Sequence, residues 1–228
     1  MKFLSELERE PWSCDDSSPA GRGAAFLLLA AAVFFIPLIL QKLLVHRISL
    51  PDIMLFSAMP GVCAYGFFTA KKIPLRYLQL KEIFKCIGWV MVMMIITGCA
   101  AFLWNFLLTV FQIPFENEQF AKGLIREVSG VERVKLFFAL CIFTPIIEEL
   151  FFRRIIYGFF LRFGYGKAFF ATALLFSCCH FFIAGLPGLF ILGLGFQFGY
   201  LKFRNLSAAV LMHSLVNSLA FIAGVMSQ

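Results

Sequence analysis

Two adjacent carboxylates and an arginine stand at the end of a strongly apolar run, within residues 144–154. They are Glu148, Glu149 and Arg153. An ionised side chain inside a membrane segment costs about 3 kcal/mol or more, so such residues are paired or face a water-filled cavity. A carboxylate in such a place can act as a general base or a proton relay. This stretch is therefore our first candidate for a functional site.

The spacing of the three charges divides their roles. Residues four apart share a helix face, and a glutamate that precedes a basic residue by four is favourably oriented. Glu149 and Arg153 have this spacing, which predicts a structural ion pair. Glu148 is rotated by about 100° from Glu149, so Arg153 is not expected to neutralise both. We predict that Glu148 is the base.

Polar residues in the later apolar segments complete the candidate site. His213 and Asn217 are also four apart, so an imidazole and a carboxamide project from one helix face. Opposite a reacting carbonyl, such donors could hold an oxyanion, worth about 3 kcal/mol per donor. His180 follows Phe176 by one helical turn. We predict that Glu148, His180 and His213 meet in one wet pocket.

Other interpretations of the same residues stay open. A histidine or asparagine in an apolar helix can be a packing residue that bridges helices. Glu148, His180 and His213 could instead ligate Zn²⁺, although the chain has no His-Glu-x-x-His motif. The same buried groups could also serve a proton-coupled transporter or a bacteriocin-immunity protein that cleaves nothing. The first three predicted spans are nearly free of polar residues, which favours a local site over a pathway through the membrane.

Composition defines the class of protein that must position these groups. Of the 228 residues, 61% are hydrophobic and 14% are charged, whereas soluble domains are near half apolar and a quarter charged. The chain is expected to be an integral, multi-pass membrane protein. Its net charge of +7 comes largely from short loops between apolar runs, so we do not expect nucleic-acid binding. Seven scattered cysteines imply no disulfide framework.

The apolar runs predict an all-α fold, a polytopic membrane helix bundle with seven or eight transmembrane helices. Residues 1–23 are predicted to be a flexible polar tail, 24–133 amino-terminal spans with a polar loop, and 134–228 the catalytic region. Seven spans place 14 of the 20 Lys and Arg residues on one side, which predicts a cytoplasmic amino terminus. The site then lies toward the cytoplasmic face. The predicted spans are about 24–45, 53–70, 86–111, 134–152, 168–184, 189–201 and 206–225.

At these residues the chain resembles the CPBP family of intramembrane proteases, also called the Abi or CAAX-protease family. The family motif Glu-Glu-x-x-x-Arg matches residues 148–153, Phe-x-x-x-His matches 176–180, and His-x-x-x-Asn matches 213–217. The order of the motifs, their placement on separate spans and the preceding Pro145 also agree. The resemblance covers about residues 134–224. One departure is Arg154, where relatives often have glycine.

The resemblance implies an intramembrane endopeptidase that acts on membrane-associated proteins or peptides. By likeness, Glu148 with His180 would activate a water, and His213 with Asn217 would stabilise the oxyanion. Descriptions of the family as metalloproteases compete with a metal-free glutamic mechanism, and we favour the metal-free interpretation because Asn217 is a donor and not a zinc ligand. We expect a location in a bacterial inner membrane.

Overall fold

The computed structural model describes residues 76–115 and 120–227. The predicted tail and the first two predicted spans lie outside the described residues. Within these residues every regular element is helical, which confirms the all-α class. The α-helices are α1 Leu80–Val110, α2 Phe120–Glu127, α3 Gly130–Phe138, α4 Thr144–Glu149, α5 Tyr157–Phe160, α6 Tyr165–Cys178, α7 Leu186–Phe203 and α8 Leu206–Met226.

Three helices in the described ranges are long and apolar enough to cross a membrane. They are Leu80–Val110, Ile183–Phe203 and Leu206–Met226. The protein is therefore an integral membrane protein, and the prediction of seven or eight spans stays a prediction. The last of these helices closely matches the predicted final span, which was 206–225.

The chain divides into two compact units, whose described parts are residues 128–168 (unit 1) and residues 76–115, 120–127 and 169–227 (unit 2). The predicted boundary between residues 133 and 134 stays a prediction. Each unit is described in turn.

Unit 1 is built on an unbroken helical run over residues 130–163 in which α-helix alternates with wider π-helix. The π segments are Ala139–Phe143 and Leu150–Ile156. Pro145 has no N–H and its ring crowds the carbonyl of Cys141, so the regular hydrogen-bond ladder cannot continue through the first of them. The second begins directly after Glu149. The run ends at Gly164, whose φ of 103° favours glycine.

In unit 2, two tryptophan side chains show that α1 and α7 run antiparallel. Trp89 donates its indole N–H to the carbonyl of Gly195, and Trp104 donates to that of Ile183, at 3.3 and 2.9 Å. The higher residue number on α1 thus pairs with the lower one near α7. Because α7 has 18 residues, it is about 27 Å long, close to the thickness of a hydrocarbon core.

A glycine lets α6 and α7 approach closely. A Cβ added at Gly193 would lie 3.1 Å from the Cα of Ala173 and 3.2 Å from the ring of Phe176. Backbone atoms yield less readily than a flexible side chain, so a larger residue at this position would have to move the neighbouring helix by a few tenths of an ångström. The close approach at Gly193 brings Phe176 to the face of α7.

Three predicted boundaries are wrong. The predicted span 168–184 ends as a helix at Cys178, because the chain turns at residues 179–180 and Phe181 adopts a φ of 50°. The helix predicted over 189–201 begins earlier, at Leu186, because Pro187 favours a first helical turn. The helix predicted over 86–111 begins earlier, at Leu80, because Gln79 and Glu82 form a capping box there.

Candidate active site

The paired carboxylates lie on α4, the six-residue α-helical segment between the two π segments of unit 1. π-helical turns occur often at functional sites because they change the direction of the side chains that follow. Both Glu148 and Glu149 are buried. Thr144 and Pro145 begin the segment, and Glu149 ends it.

Glu149 and Arg153 form a fully buried ion pair. Arg153 donates from Nε to Oε2 of Glu149 at 2.7 Å and from Nη2 to Oε1 at 3.4 Å, and neither side chain is exposed. A guanidinium that grips both carboxylate oxygens fixes the geometry as well as the charge. The arginine belongs to the second π segment, so this pair also ties that segment to the end of α4.

His180 lies in unit 2, in the turn that follows α6. Its Nδ1 is 2.7 Å from the carbonyl oxygen of Phe176. A carbonyl can only accept a hydrogen bond, so Nδ1 carries a proton, and in the neutral form of the ring the lone pair is on Nε2. The last backbone carbonyls of a helix have no hydrogen-bond partner within the helix, and this contact provides a donor for one of them. The same hydrogen bond therefore ends α6 and sets the tautomer of His180.

Two histidines and two phenylalanines of unit 2 form what we term the Phe–His cluster: Phe176, His180, Phe196 and His213. The ring of Phe176 lies 4.8 Å from that of His180 and 5.7 Å from that of His213. His213 stacks on Phe196 with ring centroids 4.7 Å apart and planes 16° apart. Phe176 meets Phe196 edge to face at 6.0 Å. Aromatic contacts on three helices and the α6 turn thus orient both imidazoles.

Asn217 follows His213 by one turn of α8 and is half-buried. His213 itself is buried, whereas His180 is half-buried. His213 comes eight residues after the helix cap Asn205, about 12 Å along α8.

The structure brings together Phe176, His180 and His213 within unit 2, and Glu149 and Arg153 within unit 1. Glu148 lies beside Glu149 on α4. That Glu148 acts together with the two histidines stays a prediction from the sequence.

Phe196 was missed by the sequence analysis. Its ring stacks on His213, yet it is one of 31 phenylalanines and carries no signal of its own. Gln197 beside it is fully buried in α7, and an amide in so apolar a helix could have been singled out. The predicted span 168–184 also led us to expect His180 inside a helix and not in a turn.

The side chains of each unit can be tested against a metal site. Within either unit, no three His, Cys, Asp or Glu side chains among the described residues are grouped to hold a metal ion. Unit 2 supplies two imidazoles, whereas a structural zinc site has four protein ligands and a catalytic one usually three. The candidate ligand set Glu148, His180 and His213 draws on both units, so metal binding by these residues stays a prediction, and we derive no step through a metal.

These features define a class of protein: an integral membrane protein of helices with buried carboxylates in one unit and orientated histidines in the other. Residues 130–219 match the model of a family described as type II CAAX prenyl endopeptidase Rce1-like. Over these residues the chain is similar to the CPBP/Abi group of CAAX proteases, which confirms the resemblance carried by the three motifs. No curated protein matches the chain. No solved structure matches it either.

The matched region contains every predicted site residue, from Glu148 to Asn217. The family indicates a CAAX protease-like endopeptidase that acts in the membrane on a membrane-associated protein or peptide. A transporter or immunity protein is not favoured by this match.

Proposed function

We propose that the protein hydrolyses peptide bonds of membrane-associated proteins or peptides by a metal-free mechanism in which Glu148 and His180 activate a water. The single observation that best supports this is the hydrogen bond from Nδ1 of His180 to the carbonyl of Phe176. It directs the basic Nε2 away from the backbone. A histidine held in this tautomer can accept a proton from water or orient it.

The proposed reaction needs only water, the substrate and side chains of this protein. Glu148 accepts a proton from the water while the water oxygen bonds to the scissile carbonyl carbon, which gives a tetrahedral oxyanion. The peptide C–N bond then breaks, and the proton held by Glu148 passes to the departing nitrogen. The products are a carboxylic acid and an amine. The pairing of Glu148 with His180 on one water comes from the motif resemblance.

In this proposal His213 and Asn217 donate hydrogen bonds to the oxyanion. Support comes from the one-turn spacing on α8 and from the stacking of His213 on Phe196, which restricts rotation of the imidazole. Donors that are already orientated stabilise the transition state without a further cost of reorganisation. Glu149 and Arg153 hold the helix that carries Glu148 and take no part in proton transfer.

The charge asymmetry of the sequence supports an orientation with a cytoplasmic amino terminus and with the site toward the cytoplasmic face. We propose a bacterial inner membrane as the location. Substrates would then enter from the bilayer or from its cytoplasmic surface.

Membrane peptidomics tests the function for a substrate of any sequence. A strain that lacks the gene is complemented with the wild type, with Glu148→Gln, or with Glu127→Gln as a matched control. Glu127 is an exposed carboxylate at the end of α2. We expect uncleaved membrane peptides to accumulate with Glu148→Gln and to disappear with the other two. Equal peptide profiles for Glu148→Gln and the wild type would contradict the proposal.

A further inference from the structure

Four basic residues lie at one end of unit 2, which we term the basic end: Lys81, Lys85, Lys202 and Arg204. The first two lie one turn apart at the start of α1, and the others lie at the turn between α7 and α8. All four are exposed. Because they come from segments more than 100 residues apart, only the fold brings them together.

Hydrogen bonds between the two segments hold this end in place. Arg76 donates from Nη2 to the carbonyl of Phe203 at 3.2 Å. The side chain of Asn205 donates to the carbonyl of Arg76 at 3.0 Å and accepts from the backbone N–H of Ser207 at 3.0 Å. Asn205 is buried and caps α8. The start of α1 is thereby fixed beside the α7–α8 turn.

The basic end carries an excess of positive charge. Residues 76–90 and 198–210 contain five Lys or Arg residues, and Glu82 is the one acidic residue in the sequence of these two stretches. Arg76 binds both carboxylate oxygens of Glu82, at 2.7 and 2.8 Å. The charge of Glu82 is thus largely offset by Arg76, and the sequence of the two stretches carries a net positive charge.

Apolar side chains beside these cations are exposed, as in a segment that lies at a membrane surface. Tyr77 is 99% exposed, Leu80 69% and Phe84 64%. α1 has 31 residues and is about 46 Å long, whereas the hydrocarbon core is about 30 Å thick. This length is enough for its first turns to extend into the headgroup region, where lysines and tyrosines are favoured.

We propose that the basic end binds the phosphate groups of anionic phospholipids. Several cations from two segments fit the charge of a phosphate group, and the exposed Leu80 and Phe84 fit the acyl chains beside it. A lipid, unlike free phosphate, uses both features at once. This inference does not rest on the proposed protease activity, since it concerns a different surface.

Binding can be measured on the purified full-length chain by native mass spectrometry. The protein in neutral detergent is titrated with phosphatidylglycerol, with phosphatidylcholine, and with inorganic phosphate as a competitor. Two double variants remove charge from either segment, Lys81→Gln with Lys85→Gln and Lys202→Gln with Arg204→Gln. A matched double variant, Arg126→Gln with Lys135→Gln, removes two charges elsewhere, and Lys81→Arg with Lys85→Arg keeps the charge.

We expect phosphatidylglycerol to bind in preference to phosphatidylcholine. Each Lys or Arg near an anionic membrane surface contributes about a factor of five in affinity, so each charge-removing pair should weaken binding ~30-fold. The matched control and the arginine variant should bind as the wild type does. Equal binding of the two lipids, wild-type binding by both glutamine pairs, or displacement of the lipid by millimolar phosphate would each overturn the proposal.

Discussion

The two groups of candidate residues are held in place by different physics. In unit 1, Glu149 and Arg153 are buried and hold each other through charge-assisted hydrogen bonds. In unit 2, His180 and His213 are orientated by aromatic rings and one backbone carbonyl. A buried ion pair loses much stability when one partner is removed, because the other charge remains in a place of low dielectric. An imidazole among aromatic rings can be removed with a smaller effect on folding.

The difference suggests a division of labour. The buried charges of Glu149 and Arg153 stabilise the structure next to Glu148. In the proposed mechanism, the imidazoles of His180 and His213 take part in the reaction. Variants of Glu149 and Arg153 should therefore change stability most, and variants of Glu148 and of the two histidines should change activity most.

The largest effect is expected for His180→Ala. Loss of a group that accepts or directs a proton lowers the cleavage rate about 10²- to 10⁴-fold, which a rate assay in membranes would measure. Helix content and expression should be unchanged. His46→Ala, which removes the third histidine of the chain, is the matched control. Cleavage by His180→Ala at the wild-type rate would remove His180 from the mechanism.

Arg153→Met should come next, with a loss of stability of about 3–5 kcal/mol, because it leaves the Glu149 carboxylate buried without its guanidinium. Thermal unfolding in detergent measures the change. The double variant Glu149→Gln with Arg153→Met should recover much of the stability that Arg153→Met loses. Lys135→Met breaks a partly exposed pair with Glu132 in the same unit and should cost less than about 1 kcal/mol. Equal losses for Arg153→Met and Lys135→Met would contradict the structural role of the buried pair.

Asn217→Ala should lower the cleavage rate by less than His180→Ala does. Removal of one oxyanion donor lowers kcat about 10²- to 10³-fold and leaves KM nearly unchanged. Asn105→Ala on α1 removes a comparable half-buried amide outside the Phe–His cluster and should cleave normally. If Asn217→Ala instead raises KM with kcat intact, then Asn217 contacts the substrate and not the transition state.

Chelation should have the smallest effect. In a metal-free mechanism, 1,10-phenanthroline changes the cleavage rate by less than about two-fold, because no ligand set is disrupted. Inhibition that is reversed by added Zn²⁺ would show that Glu148, His180 and His213 act as ligands.

Local features could be predicted from the sequence. The helical class follows from apolar runs of membrane length, and α8 begins at the predicted residue, Leu206. Contacts between residues four apart are also local. Arg153 hydrogen-bonds to Glu149, and His180 lies against Phe176.

Other features depend on contacts that hydropathy does not record. The apolar run continues past Cys178 through Phe181, Phe182 and Ile183, so nothing in the composition marks the turn that places His180. That turn depends on a side-chain hydrogen bond to Phe176 and on Ser177, which donates to the carbonyl of Leu186. Phe196 was missed because its contact with His213 joins two helices. The π segments around α4 were likewise outside the reach of a pattern based on 3.6 residues per turn.

The most direct test of the proposed mechanism is a double-mutant cycle on the cleavage rate with Glu148→Gln and His180→Ala. Groups that act on the same water behave as a unit, so the double variant should be about as slow as the slower single variant. If the two losses multiply, Glu148 and His180 act independently, and the proposed mechanism is wrong.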